Sequence, residues 1–237
     1  MNQLIIFPKI HKESNREYAY RILRYNIMQL NLYPGETLNE GQISEQLKVS
    51  RTPVHEALIL LQNQNLVTVI PQSGSHVSLI SLKKINEGLF MRQTLEPPIY
   101  RQLSSCIPSE YLEEMRQIIV KTKETLERIP DEKAYNDLLE LDDRFHSLAY
   151  IAAQKSTIWE CLQTVCSHYD RIRYQGYLSG EDDPVTNFEE HKRLFHYLVV
   201  GDTPDFDMEA FYFQHISHFK KFFPAFYNAH PEYFTVE

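Results

Sequence analysis

The sequence has no apolar run that reaches the roughly 18 residues of a membrane span. The short apolar stretch at 4–7 ends at Pro8 and is too brief for the core of a signal peptide. The three cysteines, Cys106, Cys161 and Cys166, are an odd number without CxxC spacing, which indicates reduced thiols rather than a disulfide framework. These absences predict a cytoplasmic protein that does not associate with membranes.

Glycine is also scarce, with 7 among 237 residues, and charged residues make up 24%, which favours helices over a β-sandwich. Hydrophobic residues reach 43%, enough for a substantial core and too many for a disordered chain. The length suits one large domain or two small ones.

The net charge of −8 argues against a protein covered by nucleic acid, but the charge is unevenly distributed. Residues 1–78 contain seven Lys/Arg and six Asp/Glu, a net charge of +1, and the remaining 17 basic and 26 acidic residues give −9. If the chain binds DNA, the first third therefore makes the contact and the acidic remainder has another role.

Helical spacing of apolar residues predicts helices at 13–31 and 39–48. A third helix begins near Pro53, which fits a first helical turn because its missing N–H costs nothing there. Thr52 or Ser50 can cap this turn. The second and third helices thus flank a tight turn, as in a helix-turn-helix.

After the third helix the pattern changes to β-structure. Residues 66–71 and 76–80 are rich in Val and Ile and are joined by a turn with Gly74 at its tip, which predicts a hairpin wing. Only helical patterns follow, at about 85–104, 108–128, 131–154, 156–178, 184–200 and 205–227. The predicted fold is mainly α: an N-terminal winged helix-turn-helix (1–78), a linker (79–84) and an all-α antiparallel bundle of six or seven helices (85–237).

Residues 32–77, LYPGETLNEGQISEQLKVSRTPVHEALILLQNQNLVTVIPQSGSHV, resemble the winged-helix domain of GntR-type bacterial transcription regulators. The remainder resembles the FadR-type C-terminal (FCD) domain of that family, with MRQTLE, LDDRFHSLAY and EEHKRLF in the expected order. The resemblance implies a dimer that binds double-stranded operator DNA through the first domain. It implies that the second domain binds a small effector.

The resemblance places the start of the third helix in the major groove. Arg51 can form a bidentate pair with guanine, while Ser50 and Thr52 can bond phosphate oxygens. Gly74 would let the wing backbone approach the minor groove closely. The family usually has arginine where this chain has His55, and histidine is shorter and mostly uncharged near pH 7. We therefore expect weaker phosphate attraction and an altered operator.

Asp142 and His146 lie four residues apart, so both side chains project from one helix face. In many FCD domains such a pair and two later histidines hold a divalent metal, and His191 and His215 match those positions. The resemblance thus implies a site for zinc, or for nickel, manganese or iron. A solvated Asp–His pair among ten histidines is the alternative interpretation. His218 is the rival fourth ligand.

Two further histidines, His168 and His196, are expected to be ordinary core or surface residues. An effector carboxylate bound near the metal needs cationic partners. Arg92, Arg171 and Arg173 are the candidates, and surface salt bridges are the alternative role for all three.

The leading functional hypothesis is a transcription regulator, not an enzyme, which responds to a carboxylate-type metabolite. The alternative is a metal-dependent hydrolase with an appended DNA-binding domain, although no general-base motif such as HExxH accompanies the histidines. A third hypothesis is that the metal only braces the bundle.

Overall fold

The structure is a computed structural model that describes residues 2–179 and 183–235. Within these ranges it contains eleven α-helices, two short 3-10 helices and one three-stranded antiparallel sheet, which confirms the predicted fold class. The chain divides into two compact units. The first unit comprises Met1–Glu87, Gln163–Ile172 and Ala225–Glu237, and the second comprises Gly88–Leu162 and Arg173–Pro224.

Three helices build the core of the first unit: α1 (Asn15–Met28), α2 (Glu40–Leu47) and α3 (Arg51–Asn63). Asn39 caps α2, because its side chain accepts a hydrogen bond from the Gln42 amide. The helices pack through buried apolar residues, among them Ile22, Ile27, Ile43, Leu47, Val54, Ala57, Leu58 and Leu61. The predicted helix-turn-helix is therefore present.

The wing is a small sheet in the order β1-β3-β2, formed by β1 (Thr37–Leu38), β2 (Val67–Ile70) and β3 (Gly74–Val77). Its turn runs through residues 71–73, so Gly74 is the first residue of β3, paired with Ile70, rather than the tip of the hairpin. Gly74 has a φ of +91°, a backbone conformation that favours glycine. Strand β1 was not expected, because two residues are too few for a detectable alternation.

Residues 79–84, predicted as a linker, carry regular structure at both ends. Ile80 forms a parallel bridge with Phe234, and helix α4 begins at Leu82. The predicted domain boundaries stay predictions.

In the part of the chain that the structure describes, eight helices follow the wing: α4 (Leu82–Leu103), α5 (Ser109–Leu126), α6 (Glu132–Ala152), α7 (Ser156–Val165), α8 (Ser167–Ser179), α9 (Pro184–Val200), α10 (Met208–His215) and α11 (Phe223–Ala229). The count exceeds six or seven because two predicted helices are each split in two. The helix predicted at 205–227 breaks into α10, a 3-10 turn and α11, since Pro224 fits only a first helical turn. Nothing in the sequence accounts for the break at Cys166. None of the helices in the described ranges combines the length and apolar composition required to cross a membrane.

Candidate DNA interface and metal centre

The start of α3 faces outward in the first unit. Its apolar stripe is buried, which leaves Ser50, Arg51 and Thr52 exposed on the opposite side. Ser50 is the N-cap residue, but its side chain makes no capping hydrogen bond. The first-turn N–H groups of a helix bind anions such as phosphate. This helix start therefore has the features that a DNA contact requires.

Arg51 and Gly74 line one cleft, although 23 positions separate them in the sequence. A Cβ atom placed on Gly41 would lie 3.3 Å from Nη2 of Arg51. The guanidinium therefore lies against the α2 backbone at this glycine. A Cβ at Gly74 would meet nothing within 4 Å. The structure thus brings the predicted groove-reading arginine and the wing glycine to the same face.

His55 is exposed, and its Nδ1 atom lies 2.9 Å from Oε1 of Glu40 on α2. This residue therefore has a carboxylate neighbour on the same face. In the wing, His76 contacts Thr37 at 3.2 Å through Nδ1 and Ser73 Oγ at 3.0 Å through Nε2. Residues 71–75 of the wing contain no Lys or Arg.

In the second unit, three imidazoles converge from three helices: His146 on α6, His191 on α9 and His215 on α10. Nε2 of His146 lies 3.2 Å from Nε2 of His191 and 3.3 Å from Nε2 of His215. Oδ1 of Asp142 lies 3.4 Å from Nε2 of His191. All four side chains are buried, and they are the four that the sequence predicted as ligands.

This donor set fits a divalent metal ion. Nitrogen ligands at about 2.0–2.1 Å from a tetrahedral zinc are about 3.3 Å apart, close to the separations found between these imidazoles. A neutral imidazole has one N–H, and Nδ1 of His146 and of His215 each faces a carboxylate. The Nε2 lone pairs are then directed at each other, an arrangement that a shared cation stabilises.

The electrostatics favour the ligand forms of these side chains. Burial lowers the pKa of His191 well below its usual value, and burial also lowers the pKa of His215. Burial alone would raise the pKa of Asp142, but Arg173 and His191 bring it well below its usual value. Burial would likewise raise the pKa of Glu190, yet two imidazole hydrogen bonds lower it to about 2. Neutral imidazoles and ionised carboxylates are the forms that bind metals.

A second layer of buried groups surrounds the donors, and sequence reasoning did not single these residues out. Oε2 of Glu96 lies 3.2 Å from Nδ1 of His146, and the Tyr212 hydroxyl lies 2.9 Å from the same nitrogen. Oε2 of Glu190 lies 2.7 Å from Nδ1 of His215. Both glutamates lie in segments that resemble the FCD domain, Glu96 at the end of MRQTLE and Glu190 in EEHKRLF. This position in the sequence was the signal that could have identified them.

Two of the three arginines predicted to meet an effector hold acidic residues of this centre. Arg92 donates from Nε to Glu96 at 2.6 Å, and Arg173 donates from Nη1 to Oδ2 of Asp142 at 2.5 Å. Arg171 belongs to the first unit, where Nη1 donates to the carbonyl oxygen of Ser78 at 2.8 Å. Burial lowers the pKa of Arg171 to about 9.

The remaining histidines have separate surroundings. Nε2 of His218 lies 2.8 Å from Oε2 of Glu190, behind His215 rather than among the converging Nε2 atoms. His168 is buried, and its Nδ1 accepts a hydrogen bond from the Ser81 amide. His196 is exposed.

A helix-turn-helix with a sheet wing, followed by a helical domain, defines a winged-helix DNA-binding protein with a second, helical part. Residues 15–77 match the family model "Bacterial regulatory proteins, gntR family", and residues 87–205 match the FCD domain. The chain belongs to the GntR family of bacterial transcription regulators and carries an FCD domain.

A sequence relative supports this assignment, and solved structures share the fold. The chain is 32% identical to the HTH-type transcriptional repressor RspR of Escherichia coli over 186 residues, which cover 78% of this chain and 79% of the relative. Its fold resembles that of E. coli McbR/YncC, with a TM-score of 0.68 at 18% identity over 92% of this chain and 99% of that one. A GntR regulator from Rhodococcus sp. RHA1 gives a TM-score of 0.63 at 17% identity over 92% and 96%.

Proposed function

We propose that this transcription regulator binds its operator under the control of a small carboxylate-type metabolite held at or near a divalent metal in the helical domain. The observation that carries the proposal is the convergence of Asp142, His146, His191 and His215, with neighbouring donor atoms 3.2–3.4 Å apart in a buried site. Family membership supports the regulatory role.

On the DNA side, Arg51 reads a base in the major groove, and Ser50 and Thr52 bond phosphates. Gly74 lets the wing backbone approach the minor groove, and His55 occupies the neighbouring helix turn. One winged domain reads only a short half-site, so we propose that a homodimer binds a palindromic operator.

On the effector side, the bound ion, whether zinc, nickel, manganese or iron, expands from four protein ligands to octahedral geometry, and a carboxylate occupies the two added coordination positions. Arg92 and Arg173 supply positive charge beside these ligands, although each already bonds a protein carboxylate. Arg171 bonds Ser78 in the first unit, so the proposed effector site is built without it.

Thermal melting separates sensing from a purely structural metal. The untagged protein is melted with zinc or with a chelator, in each case alone and with each of a panel of short mono- and dicarboxylic acids. We expect the chelator to lower the melting temperature and at least one acid to raise it only when zinc is present, because a ligand that binds the folded state stabilises it. If no acid raises the melting temperature or changes DNA affinity, the proposed sensing function is wrong.

A further inference from the structure

Two buried carboxylates lie directly behind two of the three converging imidazoles. Glu190 on α9 places Oε2 2.7 Å from Nδ1 of His215, and Glu96 on α4 places Oε2 3.2 Å from Nδ1 of His146. Glu96 is fully buried and Glu190 is 6% exposed. Carboxylates are rarely buried to this extent without a specific partner. Arg92 is such a partner for Glu96, whereas Glu190 contacts two imidazoles, so the contacts with the histidines need a physical reason.

The proton position on a neutral imidazole supplies that reason. Only one of the two ring nitrogens carries hydrogen, and a proton on Nε2 would occupy the lone pair that faces the other imidazoles. A carboxylate beside Nδ1 accepts a hydrogen bond from a proton on Nδ1. The proton is thereby kept off Nε2, and the Nε2 lone pair stays available to a metal. It also fixes the orientation of the ring.

We infer that Glu190 and Glu96 are positioning residues, which hold His215 and His146 in the tautomer and orientation that bind a metal. The inference rests on the proposed metal centre. It also gives His218 a role: its Nε2 lies 2.8 Å from the same Glu190 oxygen, so His218 supports the carboxylate instead of acting as a ligand.

Glu190 is the sharper test of the two. Nδ1 of His146 has a second acceptor in the Tyr212 hydroxyl, and loss of Glu96 would leave Arg92 without the carboxylate it bonds. The matched control for Glu190 is its neighbour Glu189, an exposed residue that pairs with Lys192 at 2.8 Å. Glu190→Gln and Glu189→Gln make the same chemical change one position apart on one helix.

The test measures Zn²⁺ affinity of the full chain by competition with a chromogenic chelator. We expect Glu190→Gln to weaken Zn²⁺ binding by about 10- to 100-fold, the usual effect of losing such a supporting carboxylate, and Glu189→Gln to match the wild type. A folded Glu190→Gln variant with wild-type affinity would overturn the inference and leave the metal centre intact. A wild-type chain that binds no Zn²⁺ would instead refute the proposed centre.

A second readout is the tautomer of His215 in the metal-free protein, measured by long-range ¹⁵N–¹H correlation NMR. We expect the proton on Nδ1 in the wild type and a redistribution toward Nε2 in Glu190→Gln. If the variant does not fold, the wild-type spectrum decides alone, because a proton on Nε2 overturns the inference. Binding of two Zn²⁺ ions per chain, reduced to one in His218→Ala, would also overturn it by making Glu190 and His218 ligands of a second ion.

Discussion

Arg173 donates from Nη1 to Oδ2 of Asp142, and the other oxygen of that carboxylate lies 3.4 Å from Nε2 of His191. Asn187 donates to this second oxygen at 2.9 Å. One carboxylate is thus oriented by an arginine on one side and presented to the imidazoles on the other. Arg173, one of the three arginines expected to meet an effector, therefore already bonds a predicted metal ligand.

Replacing Arg173 with methionine should destabilise the metal-free protein. The substitution leaves the buried Asp142 charge without its main partner, a change that usually costs roughly 3–5 kcal/mol. Urea unfolding in the presence of a chelator measures the loss. Arg116→Met is the control, since Arg116 forms an exposed pair with Glu113 and its loss should leave the free energy of unfolding essentially unchanged. Equal stability of the Arg173→Met variant and the control would contradict the assigned role.

Arg51→Ala should strongly reduce the preference for operator over random DNA. A bidentate arginine–guanine pair contributes about 1–3 kcal/mol of discrimination, and the variant keeps the buried stripe that anchors α3. Fluorescence anisotropy measures the affinity for an operator selected from random DNA and for an unrelated duplex, and the ratio of the two affinities is the preference. Arg16→Ala removes an exposed charge from α1 and should keep the preference. Retained preference in Arg51→Ala would rule out direct base reading by Arg51.

His55→Arg should raise DNA affinity and steepen its dependence on salt. An arginine that reaches one additional phosphate adds about 0.9 to the slope of log affinity against log salt. Titrations at several salt concentrations measure this slope. If the slope does not change, residue 55 does not face phosphate. The arginine would then pair with Glu40, whose Oε1 lies 2.9 Å from Nδ1 of His55 in the wild type.

Much of the fold was predictable because the periodic patterns were long. The apolar stripe at Val54, Ala57, Leu58 and Leu61 gave the orientation of α3, and the same four residues are buried. The breaks inside the helices predicted at 156–178 and 205–227 were not expected, because the apolar spacing continues through both breaks. Only the second break is marked in the sequence, by Pro224. The position of Gly74 at the start of β3 depends on strand register, which a short turn segment does not specify.

The candidate site was predictable only in part. The sequence predicted Asp142, His146, His191 and His215 as metal ligands through spacing and resemblance. The structure brings the three histidines together and places Asp142 3.4 Å from His191, and their role as ligands stays a prediction. The carboxylates behind the histidines depend on packing between helices that are distant in the chain. Arg171 shows the same limit, since its partner Ser78 is 93 positions away.

Acid should destabilise the protein partly through His168. Burial lowers the pKa of this residue from 6.5 to about 3, so between these values the unfolded chain binds a proton that the folded chain does not. Stability from this residue is therefore present above pH 6.5 and is lost as the pH falls toward 3, by roughly 2 kcal/mol at pH 5. Urea unfolding measures the free energy of unfolding at pH 7 and at pH 5. The decrease between the two pH values should be smaller for His168→Gln than for the wild type. The exposed His11→Gln variant should follow the wild type, and a His168→Gln variant that does so would contradict this assignment.

The proposed function requires that an organic acid control DNA binding through the metal centre. The most direct test is operator affinity of the zinc-loaded, untagged protein, measured by fluorescence anisotropy with each acid of the carboxylate panel and repeated for His146→Ala. We expect at least one acid to shift the operator Kd of the wild type and to leave that of His146→Ala unchanged. An operator Kd that no acid alters, or that shifts equally in both proteins, would contradict it.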